Sequence, residues 1–207
     1  MGDEPLLFHC GLQNSFDEAA HVASKVTRLH NIRWIAFGHL EADETGALDQ
    51  WLAAAPLAQV VQGAVGVQMT LRDSGGRTPR AIADGGLLDI GGKRLRHFDT
   101  PHVPHAWDAR VLYEEVTGTL LCGDLFTHTG DGPPVRDDDI VERSLASDDT
   151  CPTTCLTPKT APTIRRLAEL EPITLAVMHG ASYNGGCRDA LHALADGYED
   201  RLLSQMP

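Results

Sequence analysis

Residues 37–46 read FGHLEADETG and grow directly out of the apolar run RWIAF at 33–37. Six consecutive positions hold His39, Glu41, Asp43 and Glu44, one imidazole and three carboxylates. A chain that has just left a buried strand gains no stability from so much like charge, so these groups have something to hold. Taken alone, the HxExD pattern suits a metal site and a solvated acidic loop equally.

The same arrangement recurs at three more places, where an apolar strand ends in a side chain able to ligate a metal. RLRHFD (94–99) runs into TPHVPHAWD, which brings His102 and His105. TLLCGDLF (119–126) delivers Asp124, and ITLAVM (173–178) ends at His179 before the small, flexible GASYNGG. Singly, a histidine at a strand end is more often a hydrogen-bonded surface residue, and an Asp after Gly a cap or turn. Four such strand ends in one chain are harder to dismiss, because ligands at strand ends converge on one edge of a layered sheet.

These segments resemble a known family. HLEADETG resembles the HxExD(H)xG motif of the flavodiiron proteins, itself a variant of the HxHxDH motif of the metallo-β-lactamase fold. TPHVPHAWDARVLY resembles that family's next histidine segment, LLCGDLF its bridging-aspartate segment, and AVMHGASYNGG its final histidine with a glycine-rich loop. The resemblance runs from the first strand almost to the C-terminus. It implies an α/β fold, a metallo-β-lactamase-like four-layer αββα sandwich, with residues 1–207 forming a single domain.

Carried over, the resemblance implies two metal ions. His39, Glu41 and His105 would hold the first, Asp43 and His179 the second, and Asp124 would bridge them. His105 fits better than His102, which would then support the site or lie at the surface. Three imidazoles and three carboxylates make a harder donor set than the nitrogen-rich zinc hydrolases present, which favours iron, with manganese and zinc as alternatives.

The departures matter too. Glu44 stands where the family usually has a histidine, and is expected to hold a ligand in place by hydrogen bonding, with metal binding and proton relay as alternatives. Tyr183 is a candidate hydrogen-bond donor to a bound ligand, or a surface residue. No flavodoxin-like segment follows the closing helix, so electrons would come from an external donor. Only 38 residues precede His39, which implies a shortened N-terminal hairpin and an edge that a second copy could cover in a homodimer.

Function follows as an expectation: a dinuclear, diiron protein that binds or reduces dioxygen or a related small diatomic, as an oxidoreductase or an oxygen sensor. The alternative is a dinuclear hydrolase acting on an ester, thioester or lactone, and a module with purely structural metals ranks last.

Composition narrows the partners. A net charge of −12 and an isoelectric point near 5.1 exclude the basic face that nucleic acid or anionic lipid requires. No apolar run approaches the roughly 20 residues of a membrane span, and no signal-type leader is evident, so the expected location is cytoplasmic. Five cysteines make a disulfide framework improbable: Cys10 and Cys122 read as buried hydrophobes, and Cys151 and Cys155 as free thiols, with a redox couple or weak metal site as alternatives.

Helical spacing of Phe16, Ala19, Ala20, Ala23 and Val26 predicts a helix over 16–30, opened by a Ser15–Glu18 capping box. Further helices are predicted at 46–54, 65–71, 157–170 and 188–203. Strands are predicted at 5–10, 33–37, 59–62 and 173–178, and hairpins over 87–99 and 110–126. The alternation reads as layered α/β without regular βαβ spacing. Residues 128–156 read as a long polar loop, with RDDD (136–139) solvated. Trp51 and Trp107 read as core or pocket-wall aromatics. His9, His21, His30, His97, His128 and His192 lack the strand-end context and read as ordinary.

Overall fold

The structure, a computed structural model, is described over residues 4–69 and 78–206. The chain is mixed α/β, with strands in two sheets, and divides into two compact units at residue 99/100.

The first unit opens with β1 (Leu6–Phe8), α1 (Phe16–Ser24) and β2 (Trp34–Ala36), then α2 (Ala42–Thr45), α3 (Leu48–Ala54) and β3 (Gln59–Gly63). It continues through α4 (Ala64–Met69), β4 (Arg80–Ile82) and the antiparallel hairpin of β5 (Leu87–Asp89) with β6 (Arg94–Asp99). Strands β1 to β4 pair in chain order, each parallel to the last. The unit is therefore built of βαβ steps; the strands expected at 5–10, 33–37 and 59–62 are β1 to β3, and β4, three residues long, was not expected. The order never reverses, so the sheet is not doubly wound.

Its core gathers Cys10, Ile32, Ile35, Phe37, Leu48, Trp51, Leu52 and Val60, with Phe16, Ala19 and Ala23 packed against them. Trp51 meets Phe16 edge-on at 5.2 Å and donates its indole N–H to the Cys10 carbonyl at 2.8 Å. Trp107, by contrast, is 48% exposed and belongs to no core.

The expected capping box is absent. Ser15 closes a 3-10 turn that runs straight into α1, and its hydroxyl donates backward to the Leu12 carbonyl. The helix also ends at Ser24 rather than near residue 30. There the Ser24 hydroxyl donates to the His21 carbonyl, a local bond that competes with helix continuation, and Val26 beyond it is 65% exposed. Helix α4 occupies most of the predicted 65–71 segment, whose last two residues lie outside the described ones.

In the second unit β7 (Arg110–Glu114), β8 (Thr119–Leu121), β9 (Val135–Arg136), α5 (Ile140–Thr150), α6 (Thr160–Ala168), β10 (Thr174–Ala176), β11 (Ser182–Tyr183) and α7 (Cys187–Ser204) follow in order. The strands lie β7-β8-β10-β11-β9. Helix α6 buries Ala161, Ile164, Leu167 and Ala168 at helical spacing, and packs on α7, which buries Ala190, Leu191, Leu194 and Ala195.

The predicted loop over 128–156 contains strand β9 and helix α5. Arg136 ends β9, and Asp139 caps α5 by accepting the Glu142 N–H at 3.0 Å. The inward face of α5 presents Ile140, Ser144 and Asp148, so its period is carried largely by polar residues and escapes a search for apolar ones. Asp148 accepts the Thr153 and Thr154 N–H groups at 3.0 Å each, which ties down the CPTTC segment. All five cysteines are free. Among the described residues, no helix is long and apolar enough to cross a membrane.

Candidate metal centre

In the second unit, strand register brings the candidate ligands together. Strands β8 and β10 run parallel, with Leu121 opposite Ala176. Asp124 and His179 each lie three residues beyond that pair, so two exits about 4.8 Å apart deliver them side by side. One Asp124 oxygen, Oδ1, lies 3.4 Å from His179 Nε2. Strand β7 runs antiparallel to β8, with Leu112 opposite Leu121. The loop entering β7 therefore passes the exit of β8, and His105 Nε2 stands 3.3 Å from the other oxygen, Oδ2. That loop is braced by the Thr100 N–H to the Ala109 carbonyl at 2.8 Å and the His102 N–H to the Ala106 carbonyl at 2.7 Å. The side chain of His102 is exposed.

The geometry of this trio fits metal ligation. Two donors about 2.1 Å from one ion lie about 3.0–3.4 Å apart at octahedral to tetrahedral angles. Each oxygen of the buried Asp124 carboxylate faces a different imidazole nitrogen at such a separation.

In the first unit His39 again lies three residues beyond its strand, β2. Glu41 has an extended backbone (φ −133°, ψ 160°), so alternate side chains project to the same side and His39 Nε2 meets Glu41 Oε2 at 2.7 Å. Asp43 and Glu44 sit on the short helix α2 rather than in a loop; Asp43 is half-buried.

Glu44 is fully buried. Its Oε2 accepts the His39 N–H at 2.7 Å, and its Oε1 stands 3.0 Å from His39 Nδ1. His9 leaves β1 where the parallel β2 leaves the sheet, and its Nε2 lies 3.4 Å from Glu44 Oε2. Burial alone would raise the Glu44 carboxyl. The bond from the His39 ring, the charges of His9 and His39, and the His39 N–H outweigh it and hold the carboxyl below its ordinary value. Gly38 makes room: a Cβ there would stand 2.9 Å from Glu44 Oε1. Glu44 thus orients His39 through Nδ1 and leaves Nε2 facing Glu41, the pattern by which carboxylates aim ligand histidines.

Two readings change. Tyr183 is buried rather than at the surface, and donates its hydroxyl to the Gly185 carbonyl at 2.7 Å. His9 and His128 are not ordinary. His9 meets Glu44, and His128 is buried against the loop carrying His179. Neither contact has a local sequence signal, because its partner lies 35 or more residues away. Burial, then the charge of Glu44, pushes the Cys10 thiol up to about 12, so it is no nucleophile.

A cavity of ≈ 280 Å³ opens in the second unit, lined by Asp124, His128, Asp148 and His179 together with hydroxyls that include Thr129 and Ser144.

No family model matches the chain. Among solved structures it superposes on rubredoxin oxygen:oxidoreductase of Desulfovibrio gigas with a TM-score of 0.79 and 16% identity, over 100% of this chain and 53% of that one. The chemotaxis sensor ODP of T. denticola gives 0.78 and 20%, over 97% of this chain and 87% of the other. A flavo di-iron protein from Thermotoga maritima gives 0.77 and 22%, over 95% and 50%. The fold is the flavodiiron core. That core is the metallo-β-lactamase-like one, as its motifs implied. In sequence, 112 residues are 35% identical to type A flavoprotein fprA of Rhodobacter capsulatus, a match covering 52% of this chain and 26% of that protein. The match thus spans about a quarter of that relative's length, and the chain covers about half of the flavodiiron structures.

Proposed function

We propose that the two units form one metallo-β-lactamase-like domain holding two metal ions, most simply iron, that binds dioxygen or a related small diatomic. Reduction would follow where an external donor supplies electrons. His39, Glu41 and His105 would hold one ion, Asp43 and His179 the other, with Asp124 between them. The observation that carries this reading is Asp124, whose two oxygens face two different imidazoles at 3.3 and 3.4 Å. Three imidazoles with three carboxylates suit iron or manganese better than zinc. The flavo di-iron name of one structural neighbour and the oxygen:oxidoreductase name of another support the same chemistry.

When bound, the ion pair would supply two adjacent Lewis-acidic centres able to change oxidation state. The chain's own residues then do the positioning. Glu44 fixes the His39 ring, Asp124 sets the spacing, and the cavity beside Asp124 and His179 admits the ligand. A homodimer pairing along β1, the end strand of its sheet, belongs to the same proposal.

The test is anaerobic loading with ferrous iron followed by elemental analysis. Two ions per chain are expected, and a near-ultraviolet absorption change on mixing with oxygen. Asp124→Ala should lose both ions; loss of only one would show that Asp124 does not bridge.

One observation favours a second reading. A cavity of ≈ 280 Å³ is far larger than a diatomic and approaches the ~300 Å³ lower end of organic-ligand sites. A dinuclear hydrolase would use it for an ester, thioester or lactone. Turnover of such substrates by zinc-loaded protein, with no optical response to oxygen, would establish that reading instead.

A further inference from the structure

His179 presents a problem of rigidity. Its side chain is 43% exposed, and it sits at the head of the loop His-Gly-Ala-Ser (179–182), where side-chain packing offers little to hold it. We propose that His128 is the positioning residue for this loop and that it locks His179 to Asp124; the inference rests on the metal-centre reading above.

Three bonds carry it. The His128 N–H donates to the His179 carbonyl at 2.9 Å. The Ala181 N–H donates to His128 Nε2 at 3.0 Å. His128 Nδ1–H donates to the Phe126 carbonyl at 2.8 Å, which leaves Nε2 as the acceptor that Ala181 needs. One residue thus grips the backbone on both sides of Gly180 while its ring, in a residue only 5% exposed, is anchored from behind.

Gly180 is the counterpart. It has φ +131°, a conformation that side chains rarely adopt, and a Cβ there would stand 2.4–2.6 Å from three atoms of the His128 ring. The imidazole occupies the space that any larger residue at 180 would need.

The anchor belongs to the turn that carries Asp124. The Thr127 N–H and hydroxyl both donate to the Asp124 carbonyl, at 3.1 and 2.8 Å. His128 is four residues from Asp124 in sequence and bonded to both flanks of Gly180, so it couples the two loops whose side chains stand 3.4 Å apart. Its role is to keep one candidate ligand in register with another.

The experiment loads wild type, His128→Ala and His128→Gln with ferrous iron, counting ions by elemental analysis and titrating their affinity, with far-ultraviolet circular dichroism of each metal-free protein. His128→Ala should bind one ion about 10–100-fold more weakly, the range for a lost supporting contact, with the other nearly unchanged. His128→Gln, whose amide can accept from Ala181 and donate to Phe126, should restore tight binding of both. If His128→Ala folds and binds both ions as wild type does, the inference is overturned. It is also overturned if His128→Gln and His128→Ala weaken binding equally. A wild type that binds no ion overturns the metal-centre reading and this inference with it.

Discussion

In the first unit the ring and backbone of His39 lean on a carboxylate, Glu44, sealed from solvent and held ionised by the hydrogen bonds and positive charge around it. In the second unit the peptide after Gly180 leans on an imidazole, His128, wedged where only glycine leaves room, and the backbone N–H of the same residue holds the peptide before it. His39 and His179 both emerge three residues past a strand, yet one is held through charge and the other through shape and backbone bonds. A strand end fixes where a ligand begins, and the group behind it fixes where the ligand points.

Four substitutions probe that contrast. Glu44→Ala strips two buried donors on His39 of their acceptor, and should destabilise the metal-free protein by about 3 kcal/mol in urea denaturation. Glu44→Gln should cost less and leave metal content nearly unchanged; a lost ion would make Glu44 a ligand and end the parallel with His128.

Gly180→Ala should cost about 2–3 kcal/mol, because it forces a side chain into a glycine-only conformation and against the His128 ring. Melting temperature of the metal-free protein would register it. A neutral result would mean that shape does not hold the second loop.

Glu41→Ala should have the smallest effect on folding, within about 0.5 kcal/mol, since its side chain is 52% exposed. Its effect should appear instead as one ion lost on elemental analysis. A large loss of stability would blur the distinction between groups that hold metal and groups that hold the fold.

Much of this was legible beforehand. The hairpins over 87–99 and 110–126 announced themselves through turn glycines between apolar runs, and α6 through the helix start at Thr157-Pro158. Helix α5 was hidden because its inward face carries Ser144 and Asp148, although Asp139 with Glu142 spelled out its capped start. In the first unit β1, β2 and β3 were legible as apolar runs, while β4 was hidden because a strand of three residues shows no period.

The sequence by itself determined the chemistry at hand: which imidazoles and carboxylates follow apolar strands, from which the resemblance to the flavodiiron motifs implied His39, Glu41, Asp43, His105, Asp124 and His179 as the candidates. Those are local properties, written in spacing along the chain. Only the tertiary structure decided which groups aim them. The contacts of His9 with Glu44, 35 positions apart, and of His128 with Ala181, 53 apart, depend on strand register and on vacated space at Gly38 and Gly180. Such contacts exist only once strands have paired, so no local pattern records them.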